Sequence, residues 1–383
     1  MSKEILHLCT DFTKQSIYNQ LVTYLSKLGF EQNIYVPVRT REEIDMYRNY
    51  ELSNVKYYYS YILKKIDRIN YFGKIKKTST DVSSNFDLNN VKLIHAHFLF
   101  SDGGNAYEIN KKTGIPYIVA VRNTDINIFF KYFFHLRSHG INILKSADKI
   151  IFISNPYKDF LFKNFIPNDL SETLLKKCEV LPNGIDAFWL NNSNMKFTVS
   201  RQNWEALYVG EFTKNKNIHL TIEAINILIK SGLKIKFTIV GGGGDYEFKI
   251  RKLASKYSNW ITLIERLNSK EELIKVYRKS DFFIMPSQFE TFGLVYIEAL
   301  SQGLPVIYTR GQGVDGYFGE GEVGYATKVN DINDLVTNIN RLISNYDIIS
   351  RRCNSIAKKF SWDIIANKYS LLYRDIIEGE INI

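Results

Sequence analysis

The sequence predicts an α/β protein made of two Rossmann-like, doubly wound parallel sheets that face a central cleft. Three observations carry this. Short apolar runs of buried-strand type alternate with helix-period segments along the chain. The alternation pauses at Glu179–Asp186, EVLPNGID, whose Pro-Asn-Gly turn reads as a passage between domains, and then begins again. A length of 383 residues also suits two domains. The expected division is residues 1–185, residues 186–361, and a closing helix over 362–383 that crosses back to the first domain.

In the first half, Glu4–Cys9 reads as a strand. Ile17, Leu21, Tyr24 and Leu28 then recur at helical spacing. Asn33–Val38 is a second strand. Thr78–Asn90, rich in Ser, Thr and Asn, reads as a loop. Lys92–Phe98 is a strand carrying His95-Ala96-His97, and Ser101-Asp102-Gly103-Gly104 opens a helix. Tyr117–Arg122 is a strand running into Asn123-Thr124-Asp125 and one long helix that ends near Ser146. Lys149–Ser154 is again a strand, and Asn155-Pro156 opens the next helix.

A weakly patterned piece, Ala187–Asn203, leads into the second half. Ala206–Gly210 is a strand, and Ile218, Ile222, Ile225 and Ile229 mark a helix. Lys236–Val240 runs into four glycines, Gly241 to Gly244. Ile261–Ile264, Phe282–Met285 and Val306–Tyr308 complete a second sheet. Parallel sheets of this kind present functional residues at the carboxyl ends of their strands.

Composition excludes several classes. Hydrophobic residues make up 45% and charged residues 23%, an ordinary globular balance. No apolar run is long enough to span a membrane, and the start, MSKEILHL, has no signal-peptide pattern. Cys9, Cys178 and Cys353 lie far apart without metal spacing, so a reduced cytoplasmic setting without zinc is expected. Gly241–Gly244 is no dinucleotide fingerprint, and no phosphate-binding G-x-x-x-x-G-K-[ST] loop occurs. The net charge of +10 is modest and no nucleic-acid module is present, so nucleic acid is not an expected partner. Much of the excess lies in Lys56–Lys77, where seven basic residues and one acid interleave with aromatic and aliphatic side chains. That pattern suits either an anionic membrane surface or a solvated face.

The stretch Phe282–Leu300, FFIMPSQFETFGLVYIEAL, carries the chemistry. A buried-type strand ends at Pro286-Ser287, a polar turn follows, and a helix is expected from about Phe292. The N–H groups of Phe292, Gly293 and Leu294 would then sit at the positive end of a helix, a natural phosphate site. Glu290 precedes this pole. Glu298 follows it by roughly 7–8 Å along the axis. Carboxylates accept sugar hydroxyls and repel phosphate, so this order suits a sugar, a diphosphate and a second sugar in line: a nucleotide-sugar. Lys214 and Lys216, in the loop Gly210–Asn217, would neutralise the diphosphate as it leaves.

Five separated motifs together resemble the family 4 glycosyltransferases. They are Tyr208-Val209-Gly210 with Lys216-Asn217, Ile239-Val240-Gly241-Gly242, Pro286-Ser287 with Glu290-x7-Glu298, Gly303-x-Pro305-Val306-Ile307, and the Leu181–Asp186 linker with the closing Phe360-Ser361-Trp362. The resemblance implies the GT-B fold and metal-independent, retaining transfer of a sugar from a UDP- or GDP-linked donor, with no further cofactor. By position, Glu290 would hold donor-sugar hydroxyls and Glu298 the ribose. Phe292, Gly293, Leu294 and Lys216 would hold the diphosphate, with Gly210, Lys214 and Gly242 beside it. Glu211 stands where the family often has an arginine, and Lys214 is the substitute. His97, Asp102, Arg122 and Asp125 lie at strand ends of the first half; Arg122 and Asp125 are candidates for the sugar or acceptor side and, with His97, Glu290 and Lys216, for the catalytic group.

The expected function is therefore a retaining glycosyltransferase acting on a glycan or lipid-linked acceptor in capsular or exopolysaccharide synthesis. It would be cytoplasmic, or peripheral on the inner face of the cell membrane. The alternatives are a non-catalytic GT-B subunit that binds a glycan or a partner transferase, and a sugar-nucleotide epimerase.

Overall fold

Tyr117–Val121, YIVAV, is buried at every position. A strand apolar on both faces belongs inside a parallel sheet with layers above and below it. The computed structural model describes residues 4–196 and 202–379. They form two units: the chain up to Gly184 together with the segment from Trp362 on, and Ile185–Ser361. Residues 197–201 of the weakly patterned piece lie outside the described residues.

The first unit holds strands β1 (Glu4–Leu8), β2 (Glu31–Val38), β3 (Val55–Tyr61), β4 (Val91–Ala96), β5 (Tyr117–Val121), β6 (Lys149–Phe152) and β7 (Cys178–Val180). All pair in parallel, in the order β3-β2-β1-β4-β5-β6-β7. Its helices are α1 (Ser16–Lys27), α2 (Tyr71–Asn85), α3 (Gly103–Thr113), α4 (Arg137–Ser146), α5 (Asn155–Phe165) and α6 (Asn168–Leu175). One core contains Ile94, Phe100, Val119 and Ile143. Another joins Leu21 and Leu25 of α1 to Ile118, and to Trp362, Tyr369 and Tyr373 of the C-terminal helix Trp362–Gly379.

The second unit repeats the design with α7 (Ala187–Asn191), β8 (Trp204–Glu211), α8 (Ile218–Lys230), β9 (Ile235–Gly242), α9 (Glu247–Lys256), β10 (Ile261–Ile264), α10 (Lys270–Lys279), β11 (Phe282–Ile284), α11 (Leu294–Ser301), β12 (Val306–Thr309), β13 (Gly324–Thr327), α12 (Ile332–Ser344) and α13 (Tyr346–Lys358). Its parallel sheet runs β10-β9-β8-β11-β12-β13. Strand order reverses between β1 and β4 in the first unit, and between β8 and β11 in the second. Loops diverge there, which makes these carboxyl ends the places for a ligand.

Three local expectations need correction. The Ser/Thr/Asn-rich segment from Thr78 is helical to Asn85, not a loop. Thr78, Ser79, Ser83 and Ser84 return their hydroxyls to carbonyls three or four residues back, and Ile75 and Val82 bury the inner face. The long helix before Ser146 is broken into a π-helical turn Asp125–Phe130, a 3-10 turn Phe134–Leu136, and α4. The helix after Glu290 begins at Leu294 rather than Phe292, because Gly293 takes the left-handed cap at φ 82°.

Candidate functional site

In the second unit the loops after β8 and β11 are stitched together. Asn215 accepts the Phe289 N–H on Oδ1 and donates from Nδ2 to the Phe289 carbonyl, each at 2.9 Å. Its own carbonyl accepts the Gln288 N–H at 2.8 Å. Asn217 stands directly before α8 in the left-handed region at φ 54°, which asparagine tolerates, and its side chain makes no capping bond but donates to the Pro286 carbonyl at 2.9 Å. Lys216 is held between these two anchors. Its ammonium lies 2.7 Å from Glu290 Oε2, and both side chains are largely shielded from solvent.

Glu290 is fixed from several directions. Its N–H donates to Gln312 Oε1 at 3.1 Å, its carbonyl accepts the Gly313 N–H at 2.8 Å, and Oε1 accepts the Thr291 N–H at 3.1 Å. Gly293 follows directly. A Cβ there would lie 2.6 Å from the Tyr296 ring and 3.2 Å from Glu290 Cγ, so neither the backbone angle nor the space admits a side chain. Among the described residues, the N–H groups of Phe292, Gly293 and Leu294 have no hydrogen-bond partner. The Lys216–Glu290 pair therefore lies against a helix start whose donors are unsatisfied, as an anion site requires. Phe292 itself is buried, its ring against Tyr317 and Phe360.

Glu298 lies within α11, where Tyr277 donates its hydroxyl to Oε2 at 3.3 Å. Burial pushes this carboxyl up to about 7, and the Tyr277 bond and nearby Lys270 only partly oppose that. At neutral pH it is poised between acid and carboxylate. Lys270 is itself paired with Asp186 at 2.5 Å.

Gly210 is the penultimate residue of β8 and Gly242 the last of its partner β9. A Cβ on neighbouring Gly241 would fall 1.9 Å from the Gly210 carbonyl oxygen, which forbids any side chain at that crossing. Beside them is a cavity of about 180 Å³ lined by Gly210, Glu211, Gly241, Gly242, Arg266 and Leu267. It is smaller than the ~300–1,000 Å³ of a whole-ligand pocket, and it suits a fragment of one. A larger depression of about 770 Å³, lined by Trp204, Ile235, Lys279 and Asp281, lies at the amino ends of β8 and β9, away from the end where ligands bind. Lys214 is exposed, with its N–H bonded to Asp245 Oδ1 at 3.0 Å.

The first-unit candidates are less available than their strand-end positions imply. Asp125 is fully buried and accepts the N–H groups of Leu99, Phe100 and Arg122 at 3.0, 3.1 and 2.8 Å. Burial holds its carboxyl up at about 6 against these donors. Its oxygens tie the end of β5 to the loop after β4. Arg122 is 8% exposed and donates Nε to the His97 carbonyl at 3.3 Å. His97 is buried, with Nε2 3.1 Å from His7 Nδ1 and its ring stacked on His95 at 4.0 Å. One ligating atom from each of these three histidines lies within 4.8 Å of the others. Burial lowers all three imidazoles, His7 to about 3, so they are neutral. Asp102 accepts the Thr10 N–H at 3.1 Å and its hydroxyl at 2.5 Å, which joins the ends of β1 and β4.

The sequence pattern names Glu290, Glu298, Lys216 and Gly293, and Asn217 only as part of a motif; it does not single out Asn215, Gln312, Tyr277 or Arg266, which bond Phe289, Glu290 and Glu298 or line the small cavity. Asn217, directly before a helix, carries a capping signal that points to it. Tyr277 sits within an apolar pattern that gives none.

Two Rossmann-like units with these strand orders define the GT-B class of protein. Residues 192–360 match the family described as glycosyl transferases group 1. An uncharacterized glycosyltransferase of Methanocaldococcus jannaschii is 28% identical over 83% of this chain and 84% of its own. Among solved structures, sucrose-phosphate synthase from Thermosynechococcus elongatus superposes with a TM-score of 0.74 at 17% identity, covering 98% of this chain and 100% of its own. The Anabaena protein HepE, solved in complex with UDP-glucose, does so at 0.66 and 15% identity over 96% and 98%. Among the described residues, no helix is long and apolar enough to cross a membrane.

Proposed function

We propose that the protein is a retaining glycosyltransferase that takes its sugar from a nucleotide-diphosphate donor bound by the second unit. One observation carries this: Lys216 and Glu290, paired at 2.7 Å, lie beside the unsatisfied N–H groups that open α11. On this reading the diphosphate takes those N–H groups and competes with Glu290 for Lys216. Glu290 is then released toward the donor sugar. Glu298 takes the ribose hydroxyls, and the small cavity at Gly210 and Gly242 takes the base. HepE was solved with UDP-glucose, which makes a UDP-sugar the first donor to try.

The work of this site is electrostatic. Fixed donors and one cation stabilise charge as it gathers on the leaving diphosphate, at no reorganisation cost. The acceptor hydroxyl attacks from the face the diphosphate leaves, and a diphosphate oxygen takes its proton. The reading needs no metal or further cofactor.

The first unit takes the acceptor, a glycan or a lipid-linked sugar of a surface polysaccharide. In support of a lipid-linked acceptor, Ile66, Ile69 and Phe72 are 60%, 80% and 56% exposed among the lysines of the Lys56–Lys77 segment. Such a surface suits peripheral contact with an anionic membrane. Glu211, exposed at the end of β8, favours a second reading, a non-catalytic subunit, because a carboxylate there opposes diphosphate. A thermal-shift screen of nucleotide-sugars tests donor binding. A true donor raises Tm in the wild type and not in Lys216→Ala, and a flat response to all UDP- and GDP-sugars contradicts the reading.

A further inference from the structure

At the carboxyl ends of β2, β1 and β4, which are neighbours in the first sheet, Arg39 after β2 lies within electrostatic reach of Lys74 on α2. Arg39 directly follows β2. Its Nη1 is buried without a hydrogen-bond partner, and its guanidinium makes no ion pair among the described residues. Lys74, on α2, is only 8% exposed, and its ammonium likewise has no hydrogen bond or ion pair among the described residues. The two cations repel each other, and Asp102, Asp11 and Asp67 lie within electrostatic reach of Lys74.

Those acids are already engaged. Asp67 is paired with Lys77 at 2.9 Å and Asp11 with Lys14 at 2.8 Å. Asp102 accepts from Thr10 with both oxygens, and burial raises its carboxyl against the opposing pull of Lys74. Burial likewise holds the Lys74 ammonium below the ordinary lysine range. Two shielded cations that make no ion pair, and whose nearby acids are otherwise engaged, are costly to an empty protein. The cost is recovered when an anion binds.

We propose that Arg39 and Lys74 form a binding site for a phosphoryl group carried by the acceptor. A planar guanidinium fork beside a compact ammonium suits a doubly charged tetrahedral anion better than a single carboxylate. The proposal rests on the first unit taking the acceptor, and it adds that the acceptor is phosphorylated. It assigns Arg39 and Lys74 to binding, with no part in bond breaking.

The test is inorganic phosphate titrated against the full chain at constant ionic strength, with chloride as control and Tm as readout. Phosphate is expected to raise Tm. Lys74→Met and Arg39→Gln should each weaken its apparent affinity about tenfold or more. Lys74→Met removes one buried charge and also a cation that acts on Asp102, so the phosphate-free Tm of each variant is measured first; Arg39→Gln, at a half-buried position, is the second probe should Lys74→Met fold poorly. The comparison is repeated in a Lys216→Ala background, where any phosphate bound at α11 is weakened and the part owed to Arg39 and Lys74 remains. No sugar transfer is read, so this result stands or falls separately from the proposed activity. Glycerol 3-phosphate compared with phosphatidylcholine vesicles containing phosphatidic acid assigns the phosphoryl group to a soluble or a lipid acceptor. Phosphate no better than chloride, or a shift in both variants as large as in the wild type, overturns the proposal.

Discussion

At the scale of single residues, the proposed site sets two carboxylates in different environments. Glu290 has a lysine counter-ion, whereas Glu298 has a tyrosine hydroxyl and a buried surrounding that raises it to about 7. A ribose diol is held better by the ionised carboxylate. Nucleotide affinity should therefore increase as pH rises from about 6 to about 8, and Glu298→Gln should bind more weakly and lose that dependence. Calorimetric titration of the nucleotide at both pH values checks this, and an identical pH profile in Glu298→Gln counts against it. Glu298 also affects stability. Its folded value lies above the ordinary 4.5, so the stability it contributes is complete below about 4.5 and is lost as pH rises through about 7. Above that, Glu298→Gln should be more stable than wild type by roughly 1–3 kcal/mol, read by urea unfolding.

At the scale of elements, α11 depends on its first turn. Gly293→Ala must force φ 82° on an alanine and push its methyl toward the Tyr296 ring. A loss of about 1–3 kcal/mol is expected, with a larger effect on nucleotide binding than on the fold of the remaining sheet. Urea unfolding alongside nucleotide titration separates the two, and an alanine variant that binds normally would show the cap to be dispensable. This element also shows what was legible beforehand. The strand, the turn, both glutamates and the glycine lie within nineteen consecutive residues, so their pattern could be read directly. The loop that presents Lys216 lies 74 residues away from Glu290, and its position depends on Asn215 and Asn217 bonding across that gap. No local pattern encodes such a pairing. The Ser/Thr-rich half of α2 was misleading for a different reason. Its propensity favours a loop, but burial of Ile75 and Val82 and back-bonded hydroxyls outweigh it.

At the scale of the whole molecule, buried titratable groups of opposite sense should shape stability. His7, His95 and His97 are held neutral below their ordinary 6.5, so the stability they contribute is lost as pH falls below about 6.5. Asp102, Asp125 and Glu298 are raised to about 7, 6 and 7, so their contribution is lost as pH rises toward those values. Between about pH 4.5 and 6.5 the two sets oppose each other. Stability should be nearly level there and decline on both sides. Urea midpoints across pH 4 to 8 measure this, and a steep slope inside the window contradicts it. The alternation of strands and helices announced both sheets, because parallel strands buried on both faces read as uninterrupted apolar runs. The short strands β7 and β13 did not stand out, being three and four residues long.

The central claim is that the α11 start, with Lys216 and Glu290, binds a nucleotide-diphosphate sugar and activates its departure. Release of nucleoside diphosphate from the donor chosen by thermal shift, followed in purified wild type, Lys216→Ala and Glu290→Ala, tests it most directly. The account predicts measurable release by the wild type and a fall of about 10²–10³-fold in each variant. Release undiminished by either substitution, or none from wild type with a donor that demonstrably binds, would contradict it.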